Sequence, residues 1–456
     1  MEIPNTDTIV ALATPPGVGA IGVIRVSGPE TFSIVNALFH GKDLTKQESH
    51  TIHYGTLRQD KDILDEVVVS LFKGPHSYTK EDIIEISCHG SNYILQRVIR
   101  ALQNKGARLA KAGEFTQRAF LNGRFDLAQA EAVADLISSE NEAAHKAAMS
   151  QMRGGFSEEI RNLREELIHF ASMIELELDF SEEDVEFASR DQLKNLIHRI
   201  LQVVNALLES FSLGNVIKNG VPTVIAGKPN AGKSTLLNAI LNEEKAIVSD
   251  IAGTTRDFIE DEMVINGVHF RFVDTAGIRD TEDAVEKIGV ERTHSKMKEA
   301  SLILYMVDLV NDTLTDIHRQ INQLENLGIP FVIVANKIDL AAKEMIDDLK
   351  KDERVVFISA LSKENLDQLK DKILEIINLD TFSTGNTIVT NARHFESLQE
   401  TKNALYQVLD GIDAQVTNDF LAMDIRNSLH HLGEITGEIT TDDLLANIFS
   451  KFCIGK

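Results

Sequence analysis

The sequence predicts a multidomain fold: an α+β domain at the N-terminus, an all-α domain, and an α/β domain inserted into the helical one. Three observations carry this. The chain has 456 residues, too many for one hydrophobic core, so length alone suggests about three domains. The apolar pattern changes from mixed to purely helical near Asp126 and becomes mixed again near Val221. From Val221 to about Leu379 apolar strands alternate with amphipathic helices, which is the pattern of a doubly wound parallel sheet.

Taken in order, residues 1–118 contain β-branched runs at Thr8–Ala13, Val23–Val26, Leu64–Phe72 and Ile83–Cys88, with helical runs at Glu30–Phe39 and Tyr93–Gln103. Residues 119–215 are rich in Ala, Glu, Leu and Gln, with apolar residues recurring at three and four, so they read as helices. The acidic stretch that starts at Phe180 reads as a solvated turn and helix start. Residues 216–380 supply strands at Val221–Ala226, Phe270–Asp274, Leu302–Asp308, Phe331–Ala335 and Val355–Ile358. Residues 381–456 are helical again. Helices on both sides of an α/β unit suggest that it interrupts a single helical domain, because domain termini often lie close together. The alternative is two independent helical domains.

Composition narrows the functional classes. The formal net charge of -24 argues against a chain that grips a nucleic-acid backbone unaided, since phosphate binding needs clustered Lys and Arg. Cys88 and Cys453 are the two cysteines. A distant pair is neither a disulfide framework nor a metal site and fits a reducing cytoplasm. The N-terminus has no basic run before its short apolar stretch, and no apolar run reaches the ~18 residues that span a membrane.

The α/β region carries the chemistry. Gly227-Lys-Pro-Asn-Ala-Gly-Lys-Ser234 follows a strand and precedes a helix expected at Thr235–Leu241, the setting of a phosphate-binding P-loop. Glycines let the backbone N–H groups wrap phosphates, and the helix N-terminus adds partial positive charge. Lys233 is expected to reach the β- and γ-phosphates, and the Ser234 hydroxyl to ligate Mg²⁺. Asp274-Thr275-Ala276-Gly277 closes a strand; its Asp is expected to hold Mg²⁺ through water and Gly277 N–H to sense the γ-phosphate. Asn336-Lys337-Ile338-Asp339 follows another strand. The Asp339 carboxylate can accept from guanine's N1–H and amino group, whereas adenine presents an acceptor there. Ser359, Ala360 and Leu361 match the loop that contacts the guanine oxygen.

The remaining GTP contacts are expected from Asn230, Ala231, Gly232 and Thr235, and from the switch loop Ser249, Asp250, Ile251, Ala252, Gly253, Thr254 and Thr255. Thr255 is assigned to complete the Mg²⁺ shell. Four motifs in this order, each at a strand end, specify a GTP-hydrolysing G domain. The position after Gly277, where many Ras-like proteins carry a water-orienting Gln, is Ile278. Catalysis must therefore use other groups: Arg256, Arg279, or one of the acids Asp280, Glu282, Asp283 and Glu286. Asn230 has two readings, a monovalent-cation ligand beside the phosphates or a residue suited to a turn.

With the domain order, the P-loop and the switch run Asp250-Ile-Ala-Gly-Thr-Thr-Arg-Asp257 stand Ala13-Thr-Pro-Pro-Gly17, Gly113-Glu-Phe-Thr-Gln-Arg-Ala-Phe-Leu-Asn122 and the terminal Phe452-Cys-Ile-Gly-Lys456. Together they closely resemble the bacterial tRNA uridine-5-carboxymethylaminomethyl modification GTPases over nearly the whole chain. The resemblance implies a K⁺-activated GTPase that dimerises through its N-terminal domain. It places K⁺ on Asn230, Ser249, Ile251 and Thr254, with Ser249 standing where relatives more often carry Thr. It places the catalytic acid on Glu286, with Lys233 as the second catalytic residue. It implies a one-carbon tetrahydrofolate (5-formyl or 5,10-methylene form) held in the N-terminal domain by Arg25, Glu85, Arg124 and Lys456, with Arg124 where relatives often carry Lys. It also implies a flavoprotein partner carrying FAD, with tRNA recruited mostly through that partner. Cys453 lies beside the implied folate site and has two readings, a catalytic thiol or a small packed residue, the second being the one expected.

Three weaker signals are set aside. Gly17-Val-Gly-Ala-Ile-Gly22 has the dinucleotide-binding spacing but leads into another strand, where that motif needs a helix. The terminal Cys453-Ile-Gly-Lys has unsuitable last residues for prenylation. His430 and His431 point to different faces of a helix. The alternative function is a ribosome-assembly GTPase switch, which predicts a basic RNA-binding appendage; the flanking segments are acidic instead.

Overall fold

A computed structural model of the chain describes residues 7–179, 189–244, 261–265, 268–272, 297, 300–376 and 387–455. It divides into two compact units. One comprises residues 1–138, 148–206 and 393–456; the other comprises residues 139–147 and 207–392.

In the first unit, seven strands form one sheet: β1 (Ile9–Leu12), β2 (Ile21–Ser27), β3 (Phe39–His40), β4 (Thr51–Gln59), β5 (Asp62–Phe72), β6 (Ile83–His89) and β7 (Arg108–Leu109), in the order β3-β4-β5-β6-β2-β1-β7. Pairing is antiparallel except for β7, which joins β1 in parallel at the edge. Val67, Val69 and Leu71 of β5 and Ile84, Ile86 and Cys88 of β6 alternate into the core beneath the helices Thr31–Asn36 and Asn92–Asn104. The intervening residues face the other way, and Arg25, Glu85 and Ser70 lie side by side on that second face. Gly17–Gly22 runs into strand β2, as its rejection as a dinucleotide motif requires.

The same unit contains the helical domain, built from both ends of the chain. The helix Gly155–Asp179 packs against Asn418–Thr436, and Arg426 pairs with Glu175 at 2.6 Å. The helix Leu127–Ile137 starts at a capping box in which Asp126 accepts from Gln129 N–H and the Gln129 side chain reaches back. Its Glu131 is buried and takes two hydrogen bonds from Arg393 and one contact from His394, residues that follow the α/β insertion. Burial would push the Glu131 carboxyl up, but His394 and Arg393 hold it down at about 2. The first and last helical segments therefore share one core, and the reading as two independent helical domains is excluded.

The helix Arg190–Asn219 alone among the described helices has the length and apolar content of a membrane span. Its Leu193, Ile197, Ile200 and Val204 are buried protein core, so the apolar stripe is accounted for by packing.

The second unit is the α/β domain. Its sheet has the order β13-β12-β11-β8-β10-β9, with β8 (Val221–Gly227), β9 (Asp261–Ile265), β10 (Val268–Phe272), β11 (Leu302–Asp308), β12 (Phe331–Asn336) and β13 (Val355–Ile358). Helices cover both faces. Leu236, Leu237, Ile240, Leu369 and Ile373 pack on one side; Ile317, Ile321 and Leu324 pack on the other. The expected fully parallel sheet needs one correction, because β9 pairs antiparallel with β10 at the edge. Five of six strands follow the parallel doubly wound pattern. Within this unit the return segment lies against the helix that entered it: Val389 N–H donates to Ser210 Oγ at 3.0 Å. A Cβ on Gly214 would overlap the Val389 carbonyl, so only glycine permits that approach.

Candidate functional site

The P-loop begins where β8 ends. Gly227 has φ +144° and Gly232 φ +102°. A Cβ on Gly227 would overlap the Met306 carbonyl of the neighbouring β11, and one on Gly232 would overlap the Asn336 side chain. Both positions thus need glycine for conformation and for space. The helix Lys233–Glu244 starts directly after the loop, with its first N–H groups at the loop's open side. This is longer than the Thr235–Leu241 expected from sequence.

Lys233 Nζ donates to the Gly227 and Lys228 carbonyls, each at 2.9 Å. Its acceptors are neutral, and burial pushes the ammonium's pKa down. An anion at the loop would relieve that cost, so the site fits a phosphate. Ser234 and Thr235 are exposed at the helix start, free to meet a ligand. Asn230 adopts the left-handed region at φ +61°, which satisfies the turn reading. Its side-chain amide has no hydrogen-bond partner among the described residues, so the cation reading stays open.

The guanine loop is tied to the P-loop. Asn336, 4% exposed, donates to the Ala231 carbonyl at 2.8 Å and accepts from Ala360 N–H at 2.9 Å. One amide thus joins three of the four sequence motifs. Lys337 sits at φ +68° and turns the chain into the short helix Ile338–Leu340, leaving Asp339 exposed. The loop from Ser359 is closed by paired backbone hydrogen bonds between Ser359 and Glu364. Leu361 is 86% exposed beside it. Of the expected GTP contacts, Asn230, Ala231, Gly232, Lys233, Ser234, Thr235, Asn336, Lys337, Asp339, Ser359, Ala360 and Leu361 belong to one end of the sheet. Ser249–Thr255, Asp274–Gly277, Ile278 and Glu286 lie outside the described residues.

A second site forms on the N-terminal sheet. Arg25 on β2 and Glu85 on β6 are register partners. Arg25 Nε donates to Glu85 Oε1 at 2.9 Å, and Arg25 Nη1 donates to the Gly455 carbonyl at 3.3 Å. Glu85 Oε2 has no hydrogen bond among the described residues. The Arg25 and Arg124 guanidinium groups lie 5.2 and 5.3 Å from the centre of the Tyr78 ring. Arg124 also donates to the Ser77 carbonyl. A cavity of about 480 Å³ opens here, lined by Tyr78, Glu85, Arg124, Lys80, Phe72 and His50 among others. An apolar ring platform, a carboxylate with a free acceptor and basic groups fit a heteroaromatic ligand with N–H donors and an anionic tail.

The C-terminal tail completes this wall. Ile454 bridges Ala112, and a Cβ on Gly455 would overlap the Leu12 carbonyl, so the tail lies close against β1. Lys456 itself lies outside the described residues. Phe452 is buried but Cys453 is exposed. The expectation of a packed Cys453 is thereby corrected, because the backbone pairing of the tail turns this side chain outward while its neighbour fills the core. Cys88 is buried, and burial pushes its thiol up to about 11. Sequence reasoning missed Tyr78, the ring on which both arginines converge. Its only signal is the turn-rich Gly74-Pro75-His-Ser-Tyr78 run between β5 and β6.

Comparisons with known proteins agree over the full chain. A family described as the MnmE helical domain matches residues 127–453, and one described as the GTP-binding protein TrmE N-terminus matches residues 8–124. A tRNA modification GTPase MnmE of Cytophaga hutchinsonii is 61% identical, covering 99% of this chain and 98% of its own. The protein of that name in Christiangramia forsetii is 55% identical, over 99% of each chain. Among solved structures, the FeoB G domain of Methanococcus jannaschii is 25% identical over 35% of this chain and 97% of its own, with a TM-score of 0.25.

Proposed function

The chain belongs to the MnmE family of tRNA modification GTPases, and from that premise we propose that it is a cytoplasmic, K⁺-activated enzyme that works with a flavoprotein partner. GTP hydrolysis and a role in tRNA modification follow from the family itself. The finer reading is that the pair adds a carboxymethylaminomethyl or aminomethyl group at C5 of the wobble uridine of certain tRNAs. The observation that carries the GTPase assignment is the Asn336 side chain, which bonds the P-loop and the Ser359–Leu361 loop at once.

In this reading Lys233 moves from the Gly227 and Lys228 carbonyls onto the β- and γ-phosphates. Ser234 and Thr255 hold Mg²⁺. Asn230, Ser249, Ile251 and Thr254 hold K⁺, which would neutralise charge growing between the β- and γ-phosphates. Glu286 orients the attacking water, a task that Ile278 cannot perform. Arg25, Glu85, Arg124 and Lys456 hold the folate, with Glu85 Oε2 accepting from the pterin and the basic groups meeting its glutamate tail. The exposed apolar residues Ile52, Tyr54 and Val68 on neighbouring strands β4 and β5 support assignment of that sheet region to the homodimer contact. The acidic chain leaves most tRNA contact, and the FAD, to the partner.

Potassium dependence tests the site. GTP turnover in K⁺ is expected to exceed turnover in Na⁺ at equal ionic strength by at least about tenfold. Equal rates in the two salts would remove Asn230 from the cation role.

A further inference from the structure

Strand β11 lies between the strand that launches the P-loop and the strand that launches the guanine loop. Its last residue, Asp308, and Asp312, four residues further on, carry buried carboxylates that are 8% and 7% exposed. Each takes one lysine, and the two lysines come from opposite sides. Asp308 accepts from Lys337 Nζ at 2.5 Å, and Asp312 Oδ1 accepts from Lys228 Nζ at 2.7 Å. The Asp312 carboxylate is joined to the Asp308 backbone, since Asp312 Oδ2 accepts from the Asp308 main-chain N–H at 2.8 Å. Asp308 also accepts from Val310 N–H and from the Asn311 amide. Lys228 makes a longer contact to Asp316 at 3.3 Å.

Two buried carboxylates this close are costly unless each is paired. The pairing fixes the lysines in return. Lys228 contributes the carbonyl that receives Lys233 Nζ, so its placement sets the phosphate-binding amine. Lys337 lies two residues before Asp339, so its placement sets the reach of the base-reading carboxylate. Lys228–Asp312–Asp308–Lys337 is thus a second tie between the two loops, separate from the Asn336 amide.

We propose that Asp308 and Asp312 are positioning residues that hold the P-loop and the guanine loop in register and thereby set the rate of guanine-nucleotide release. The tie reaches the guanine and β-phosphate contacts that GTP and GDP share, and touches the γ-phosphate only through Lys233. Loosening it speeds release of both nucleotides, and its effect on the hydrolytic step is the smaller one. The inference rests on guanine-nucleotide binding alone and is independent of the K⁺ and folate readings.

The test is a fluorescent-nucleotide chase with full-length protein, alongside steady-state GTP turnover. Asp308→Asn and Asp312→Asn are each expected to release GDP and GTP about tenfold faster. KM should rise in step while kcat changes little. Lys228→Met removes a half-exposed side chain, so it keeps the test available should an aspartate variant fail to fold; it is expected to speed release likewise. Lys228→Met combined with Asp312→Asn should release no faster than the faster single variant, because both cut one link. Release at the parent rate in Lys228→Met, additive effects in the double variant, or a fall in kcat at constant KM would each overturn the proposal.

Discussion

Asp339→Asn is expected to weaken GTP binding by roughly a thousandfold and to admit xanthosine triphosphate in its place. Guanine offers two donors, N1–H and the 2-amino group, to the Asp339 carboxylate. An asparagine turns one acceptor into a donor that faces the guanine amino group, leaving two donors opposed and unsatisfied. Xanthine carries an oxygen where guanine has that amino group, so the same amide pairs with it. The substitution is clean because Asp339 is exposed in the Ile338–Leu340 turn and supports no core packing. Equilibrium titration of both nucleotides reads the result. A variant that keeps parent GTP affinity would detach guanine recognition from this residue.

The second large effect is expected at Glu286. Glu286→Ala should bind GTP as the parent does and lose turnover by about a hundredfold or more. The water-orienting position after the Asp-x-x-Gly motif is Ile278, which can neither donate nor accept. Some other side chain must align the water, and we propose that Glu286 does that work. An effect on the chemical step alone separates this role from binding, since a residue needed for affinity would raise KM as well. Single-turnover hydrolysis at saturating enzyme isolates that step. Turnover at the parent rate would return the assignment to the other acids of the same loop, Asp280, Glu282 and Asp283.

The guanine half of the site was legible because its residues sit at strand ends, and apolar strands such as β11 and β12 announce themselves by composition alone. Gly227, Gly232 and Asn336 could be placed from spacing, whereas the reason for them could not. That Gly232 is glycine because Asn336 fills the space beside it is a tertiary fact. The link through Asp308 and Asp312 was invisible for the same reason, since it joins residues 228, 308, 312 and 337 through the sheet order rather than through sequence. Strand β4 was missed although Ile52 and Tyr54 alternate, because its other face carries little apolar surface. Strand β9 carries a readable signal: Asn266-Gly267 separates it from β10, a pair that favours a hairpin turn. On the N-terminal sheet, Arg25, Glu85 and Arg124 came from resemblance alone. Nothing in their spacing places them round Tyr78, which only the register of β2 with β6 and the turn after β5 achieve.

Nucleoside analysis asks directly whether this G domain drives the proposed wobble-uridine modification. Wobble uridines would be compared by mass spectrometry in tRNA from cells lacking the protein, cells restored with it, and cells restored with Lys233→Ala. The C5 carboxymethylaminomethyl or aminomethyl group is expected to be absent from the first and third and present in the second. Fully modified wobble uridines in cells lacking the protein would contradict it.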